Sequence, residues 1–147
     1  MIIALLAATV FAGDWTPTET EHTVMRALSV RDPEPLCADV EALSETPVTT
    51  LRSMVENVEM PPWVGMRAAT CLASRHASDV EDDLVDWVTD PAKKGLALVA
   101  LGQLDKMPLP VATEVAQRAI VGSNAEMFRE RVGRSSQPEL RALVETP

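Results

Sequence analysis

A single interval of 29 residues governs the middle of this 147-residue chain. Pro33, Pro62 and Pro91 keep it, as do Val40, Ala69 and Leu98, then Ala42, Cys71 and Ala100, then Leu43, Leu72 and Leu101. Later in each unit Leu51 aligns with Val80, Val55 with Leu84 and Val58 with Trp87. The next copy lies 31 residues on, taking Val80 to Val111 and Leu84 to Val115. The loop "DKMPLP" holds the two extra residues at little cost. A period of this size marks a chain of supersecondary units, none of which buries its apolar face alone.

Each unit carries two apolar stripes at helical spacing. Met66, Ala69 and Leu72 follow at steps of three, and Val80, Leu84, Trp87 and Val88 at i, i+4, i+7 and i+8. A proline at the start of a unit suits the first helical position, where the missing N–H is no loss. Asp32 and Asp90 precede two of these prolines and can cap the exposed amides. "SDVED", from Ser78, offers a second cap with acids in the first turn. Apolar residues make up 46% of the chain and aromatics only 3%, so Ala, Leu and Val must form the core, which suits close-packed helices better than a β-sandwich. The expected fold is all-α: a short α-solenoid of three to four stacked antiparallel helix pairs. A capping helix covers about 18–31, and pairs cover about 33–59, 62–89, 91–121 and 123–145, the last broken near Gly133 and "SSQP". Leu98 and Leu101 are expected to feed the core, and Ala97, Ala100 and Gly102 to let neighbouring helices approach.

"DPAKKGLALVALGQL" and "PPWVGMRAATCLASRHA" resemble HEAT repeats, in particular the short type found in phycobilisome lyases. Asp90, Pro91, Ala100, Leu101, Gly102 and Leu104 match the family pattern in one copy. Val64, Arg67, Ala68, Ala69 and Leu72 match it in part in another, and Asp32, Pro33, Ala42 and Leu43 in the first. The resemblance covers about residues 32–121. It implies a solenoid whose second helices line the partner-binding side, and it says almost nothing about activity.

The N-terminus, "MIIALLAATVFAGDW", is apolar from Ile2 to Ala12, too short to span a bilayer as a helix. Small residues follow the apolar run, as at a secretory cleavage site, so residues 1–13 read as a signal peptide cut after Ala12 or Gly13. The mature domain then covers 14–147, and the protein is exported, periplasmic or extracellular, with no stable membrane span. The n-region has no Lys or Arg, and the alternative is a buried first helix or strand. No Cys follows the apolar run to carry a lipid anchor.

The net charge of −9 is concentrated between residues 34 and 90, where twelve Asp/Glu face three Arg; residues 91–147 carry a balance of +2. No concentrated basic face is present, which disfavours nucleic acid. Asp79, Glu81, Asp82, Asp83 and Asp86 cluster at the start of one second helix, a face for a basic protein or peptide, or a solvated helix face with dipole-favourable acids. Cys37 and Cys71 are the only cysteines, and in an exported chain an even pair invites a disulfide. Their places in the unit differ by five residues, a turn of about 140° that lets them face one another and an axial offset of roughly 7.5 Å that strains the bond. Otherwise Cys71 fills the small slot of Ala42 and Ala100. Trp63 and Trp87 fall at core positions, and Trp15 lies beside the cleavage site. Neither His22 nor His76 belongs to a metal-ligand pattern, although His76 can bond the last carbonyls of its helix. No nucleophile, metal or phosphate motif is present, and no cofactor is expected. These observations favour a non-catalytic scaffolding or interaction module. The alternatives are an enzyme of bilin-lyase type and a redox or metal role for the cysteine pair.

Overall fold

A computed structural model of the chain describes Val10, Phe11 and residues 13–145. The fold is all-α: among the described residues there are nine α-helices and one two-stranded ribbon. The chain divides into two compact units, Met1–Ala68 and Ala69–Pro147.

In the first unit, β1 (Val10–Phe11) precedes α1 (Glu19–Ser29), α2 (Cys37–Glu41), α3 (Pro47–Asn57) and β2 (Val58–Met60). A capping box starts α1. Thr18 Oγ1 accepts from the Glu21 N–H at 3.1 Å, and the Thr18 N–H donates to Glu21 Oε2 at 2.8 Å. Val24, Met25 and Leu28 form its buried stripe, and α1 packs on α2 and α3. Pro47 opens α3 at a position where no N–H is needed, and Thr50, Leu51 and Met54 face inward. The Thr50 hydroxyl is buried but bonded to Ser44 Oγ at 2.8 Å.

β1 and β2 pair antiparallel, with Val10 opposite Met60 and Phe11 opposite Val58. Most of the stretch 1–13, expected to be a signal peptide, lies outside the described residues; Val10 and Phe11, within it, form this strand.

α4 (Pro62–Arg75) begins in the first unit and ends in the second. The second unit continues with α5 (Glu81–Thr89), a 3-10 turn at Pro91–Lys93, α6 (Lys94–Gly102), a second 3-10 turn at Leu104–Lys106, α7 (Leu109–Ala119), α8 (Ala125–Gly133) and α9 (Pro138–Glu145). Asp90 Oδ1 accepts from the Ala92 N–H at 2.9 Å, so Asp-Pro opens the 3-10 turn at Pro91 with a side-chain cap. α5 packs on α6 and α7, α6 on α8, α7 on α8 and α9, and α8 on α9. The core of this unit holds Leu72, Val80, Leu84, Trp87, Ala97, Ala100, Leu101, Val111, Val115, Phe128, Val132 and Leu140. Ala69 is buried as well, and Val40 and Leu51 are buried in the first unit.

Several expected positions differ. Pro33 does not start a helix, and Asp32 caps none. Pro33 and Pro35 each push the preceding residue out of the helical region, so α2 begins only at Cys37. After five residues α2 ends, which leaves Ala42 exposed and Leu43 43% exposed rather than in the core. Val55 is half-buried because Leu51 and Met54 take the inner face of α3. Leu98 is also half-buried. It stands about 100° around the helix from Ala97, and the inward face of α6 is Ala97, Ala100 and Leu101. Met66 is 39% exposed, opposite the stripe formed by Val64 and Ala68. Gly102 has open space where a Cβ would sit, so it permits no close approach. Ser78 does not cap α5; a turn over 77–80 moves the N-cap to Val80, which has no capping side chain.

Candidate functional site

The five acids at the head of α5 follow from its start. Val80 offers the free amides no side-chain acceptor, and Glu81, Asp82 and Asp83 occupy the first turn, where the helix dipole favours negative charge. Asp79 lies in the preceding turn and Asp86 one turn later. Two of the five face basic side chains within the same unit. Asp86 Oδ2 is ion-paired with Lys93 Nζ, and Asp79 Oδ2 lies 3.8 Å from His76 Nδ1. The hydrogen bond to Asp86 raises the Lys93 pKa against a smaller desolvation effect, and the charges of Asp86, Asp90 and Asp83 add to the rise. Asp83 is partnered as well. None of the described ion pairs involves Glu81 or Asp82, so the acidity left to meet a cationic partner is concentrated there.

A second polar centre lies between the turn after α6 and the loop before α9. Asp105 accepts from the Ser135 hydroxyl through Oδ1 and from the Ser136 N–H through Oδ2 at 2.9 Å. Ser135 Oγ accepts in turn from the Gln137 N–H at 3.0 Å, and Arg141 Nη1 donates to Ser135 O at 2.9 Å. The hydrogen bond from Ser135, then that from Ser136, holds the Asp105 carboxyl below its usual range. A cleft of about 130 Å³ opens beside it, lined also by Arg131 and Arg134. Ser135 is buried and bonded to a carboxylate that is a weakened base, so the group acts as a clamp on the start of α9 rather than as an activated nucleophile.

Trp63 and Arg67, one turn apart on α4, meet the end of α1. Trp63 Nε1 donates to Ser29 O at 3.1 Å, and Arg31 lies over the indole, 4.7 Å from its centroid. Arg67 Nη1 donates to Leu28 O at 2.8 Å and to Val30 O, while its Nε lies 3.5 Å from Glu34 Oε1. These bonds satisfy carbonyls that α1 leaves free at its last turn. Trp63 is therefore half-buried and bonded at its edge, whereas Trp87 is buried outright.

In the first unit a groove of about 640 Å³ runs between the start of α1 and the start of α3, lined largely by Thr and Ser hydroxyls with Glu21 and Glu45. Burial works to raise the Glu21 pKa, but hydrogen bonds from Ser53 and Thr18 outweigh it and lower the value.

Both cysteines are disulfide-bonded, and Cys71 is buried at 2% exposure. Among the described residues no three His, Cys, Asp or Glu side chains come together in a way that could hold a metal ion. No described helix is long and apolar enough to cross a membrane.

Neither the Asp105–Ser135 clamp nor the Trp63–Arg67 pair is expected from the sequence. The clamp joins residues 30 positions apart, and no local pattern announces it. The pair does leave a trace, since Trp and Arg at i and i+4 share a helix face.

No model of a known protein family matches the chain, and no curated protein or solved structure does.

Proposed function

We propose that the chain is an exported, non-catalytic interaction module: a short α-solenoid of HEAT-like helix pairs that receives a protein or peptide segment of basic character at the head of α5. The observation that carries this reading is the order of packing in the second unit. The second helices of successive pairs lie on one another, α5 on α7 and α7 on α9, and the first helices do likewise, α6 on α8. Stacking of this kind is how repeat units share one core while presenting a continuous row of helices as surface. Asp82 is exposed and Glu81 half-buried at the head of α5, and on the HEAT-like reading second helices such as α5 line the partner-binding side. The disulfide-bonded cysteines support export, because such bonds persist in oxidising compartments. The burial of Cys71 favours a structural bond over a redox centre, which needs an exposed thiol of low pKa.

The test is capture of the tagged full-length chain from envelope and medium of its native host after mild crosslinking. It is run beside a chain carrying Glu81→Gln and Asp82→Asn. The expected result is one protein enriched over an untagged control and lost with the neutralised pair. Recovery of the bare chain, or equal enrichment by the neutralised chain, would refute the α5 site. Reading the N-terminus of the captured chain tests export separately.

A further inference from the structure

β2 holds one strand, β1, and β1 ends one residue before Ala12, after which the leader is read to be cut. The strand that completes the ribbon thus belongs to the segment that export removes. Its loss turns the N–H and C=O groups of β2 that faced β1 toward solvent, a template for strand addition. We propose that β2 is a strand-accepting edge, closed by β1 in the uncut chain and taken by an extended segment of a partner protein once that segment is gone. The release of β1 rests on the export reading; the capacity of the edge to take a strand does not.

β1 shows what the edge receives: an antiparallel strand of β-branched and aromatic residues, in the register that sets Val10 against Met60 and Phe11 against Val58. The accepting stretch is short. The Val58 N–H is already held by Met54 O as the cap of α3, and Pro61 and Pro62 end the strand without donors. Met60 is 47% exposed and offers apolar surface to the incoming strand, and Glu59 is exposed beside it. A brief edge ended by prolines and carrying a charge takes one strand and resists open-ended pairing. The partner is therefore a protein segment with two or three apolar residues of β character and a cation placed to meet Glu59.

The test uses the full chain with a specific protease site placed between Ala12 and Gly13, folded first and then clipped. Amide exchange at Glu59 and Met60 is measured before clipping, after it, and with a synthetic peptide of residues 8–13, "ATVFAG", bearing lysines for solubility. The expected result is exchange about tenfold faster after clipping, slowed again by the peptide, with the amides of α3 and α7 unchanged. The same peptide N-methylated at Val10 and Phe11 has no effect, because it lacks the ladder donors. The full-length variant Val10→Pro/Phe11→Pro speeds exchange at the same amides without a cut, which keeps the test decisive if the clipped chain unfolds. Unchanged exchange on clipping with α3 intact would overturn the proposal, as would indifference to the unmethylated peptide. Dimerisation of the clipped chain through this edge in sedimentation would also overturn it, by giving the edge to a second copy. An uncut N-terminus in the native host would refute export and leave the exchange result standing.

Discussion

Replacing Arg67 with Met isolates what the Arg67 guanidinium of α4 does for α1. Methionine keeps much of the aliphatic stem and removes every donor, so the packing loss is small and the polar loss complete. The bond to Leu28 O, at 2.8 Å, ends on the carbonyl of a buried residue, and a hydrogen bond with a charged donor contributes about 1.5–3 kcal/mol in such a place. The bond to Val30 O lies at an exposed residue, where water replaces most of it at a cost of about 0.5 kcal/mol. Glu34 is 71% exposed and 3.5 Å away, so its share is within about 0–1 kcal/mol. The expected total is about 2–4.5 kcal/mol, a fall in Tm of roughly 6–14 °C for a chain of this size. Urea unfolding of wild type, Arg67→Met, Glu34→Gln and the double variant completes the cycle. A loss below about 1 kcal/mol would refute the reasoning. So would a Glu34→Gln loss equal to that of Arg67→Met, because the ion pair rather than the helix cap would then carry the energy.

Leu84→Ala, at a fully buried site, should destabilise by about 2–5 kcal/mol, and Leu98→Ala, half-buried, by about half as much or less; urea midpoints of the two variants check the difference in burial. The folded-state pKa of Asp105 is depressed, so its contribution is present above the ordinary aspartate value and is lost as pH falls through the folded value. Acid titration of Asp105→Asn should therefore show a shallower loss of stability below about pH 4 than wild type, and a parallel curve would contradict the clamp. Gly65→Ala places a Cβ 3.6 Å from Val58 O, ordinary contact, and removes a flexible residue from α4. A Tm unchanged or raised, by up to about 1 kcal/mol of stability, is expected, and a drop would mean that the end of α3 sits closer.

The all-α class, the start of α4 at Pro62 and the Asp90 cap on the turn at Pro91 were legible because each depends on neighbours a few residues apart; the Thr18 capping box and the start of α3 at Pro47, equally local, were not singled out. The 29-residue period did not settle which residues face inward. Leu43 and Leu72 occupy equal places in the repeat, yet two prolines delay α2 and leave Leu43 outside, while Leu72 is buried within the fourteen-residue α4. Leu98 went astray for a smaller reason, since a 3-10 turn precedes α6 and Ala97, not Leu98, faces in. The acids of α5 were legible as a cluster, but the contacts of Asp86 with Lys93 and of Asp79 with His76 were not, because they depend on how the next turn and the preceding one come back past the helix. Asp105 and Ser135 meet only through tertiary structure, beyond the reach of any local pattern.

The two ends of α1 are secured by different means. Its start is self-sufficient, since Thr18 and Glu21 answer one another within a single turn. Its end borrows its donors from Trp63 and Arg67, across more than thirty residues of chain. Thermal fraying of this helix therefore has a direction, with the borrowed end opening first and the self-capped end last. Whatever loosens α4 loosens the last turn of α1 with it, and the stretch from Ser29 to Glu34 becomes the place where a disturbance in one helix is first felt in the other.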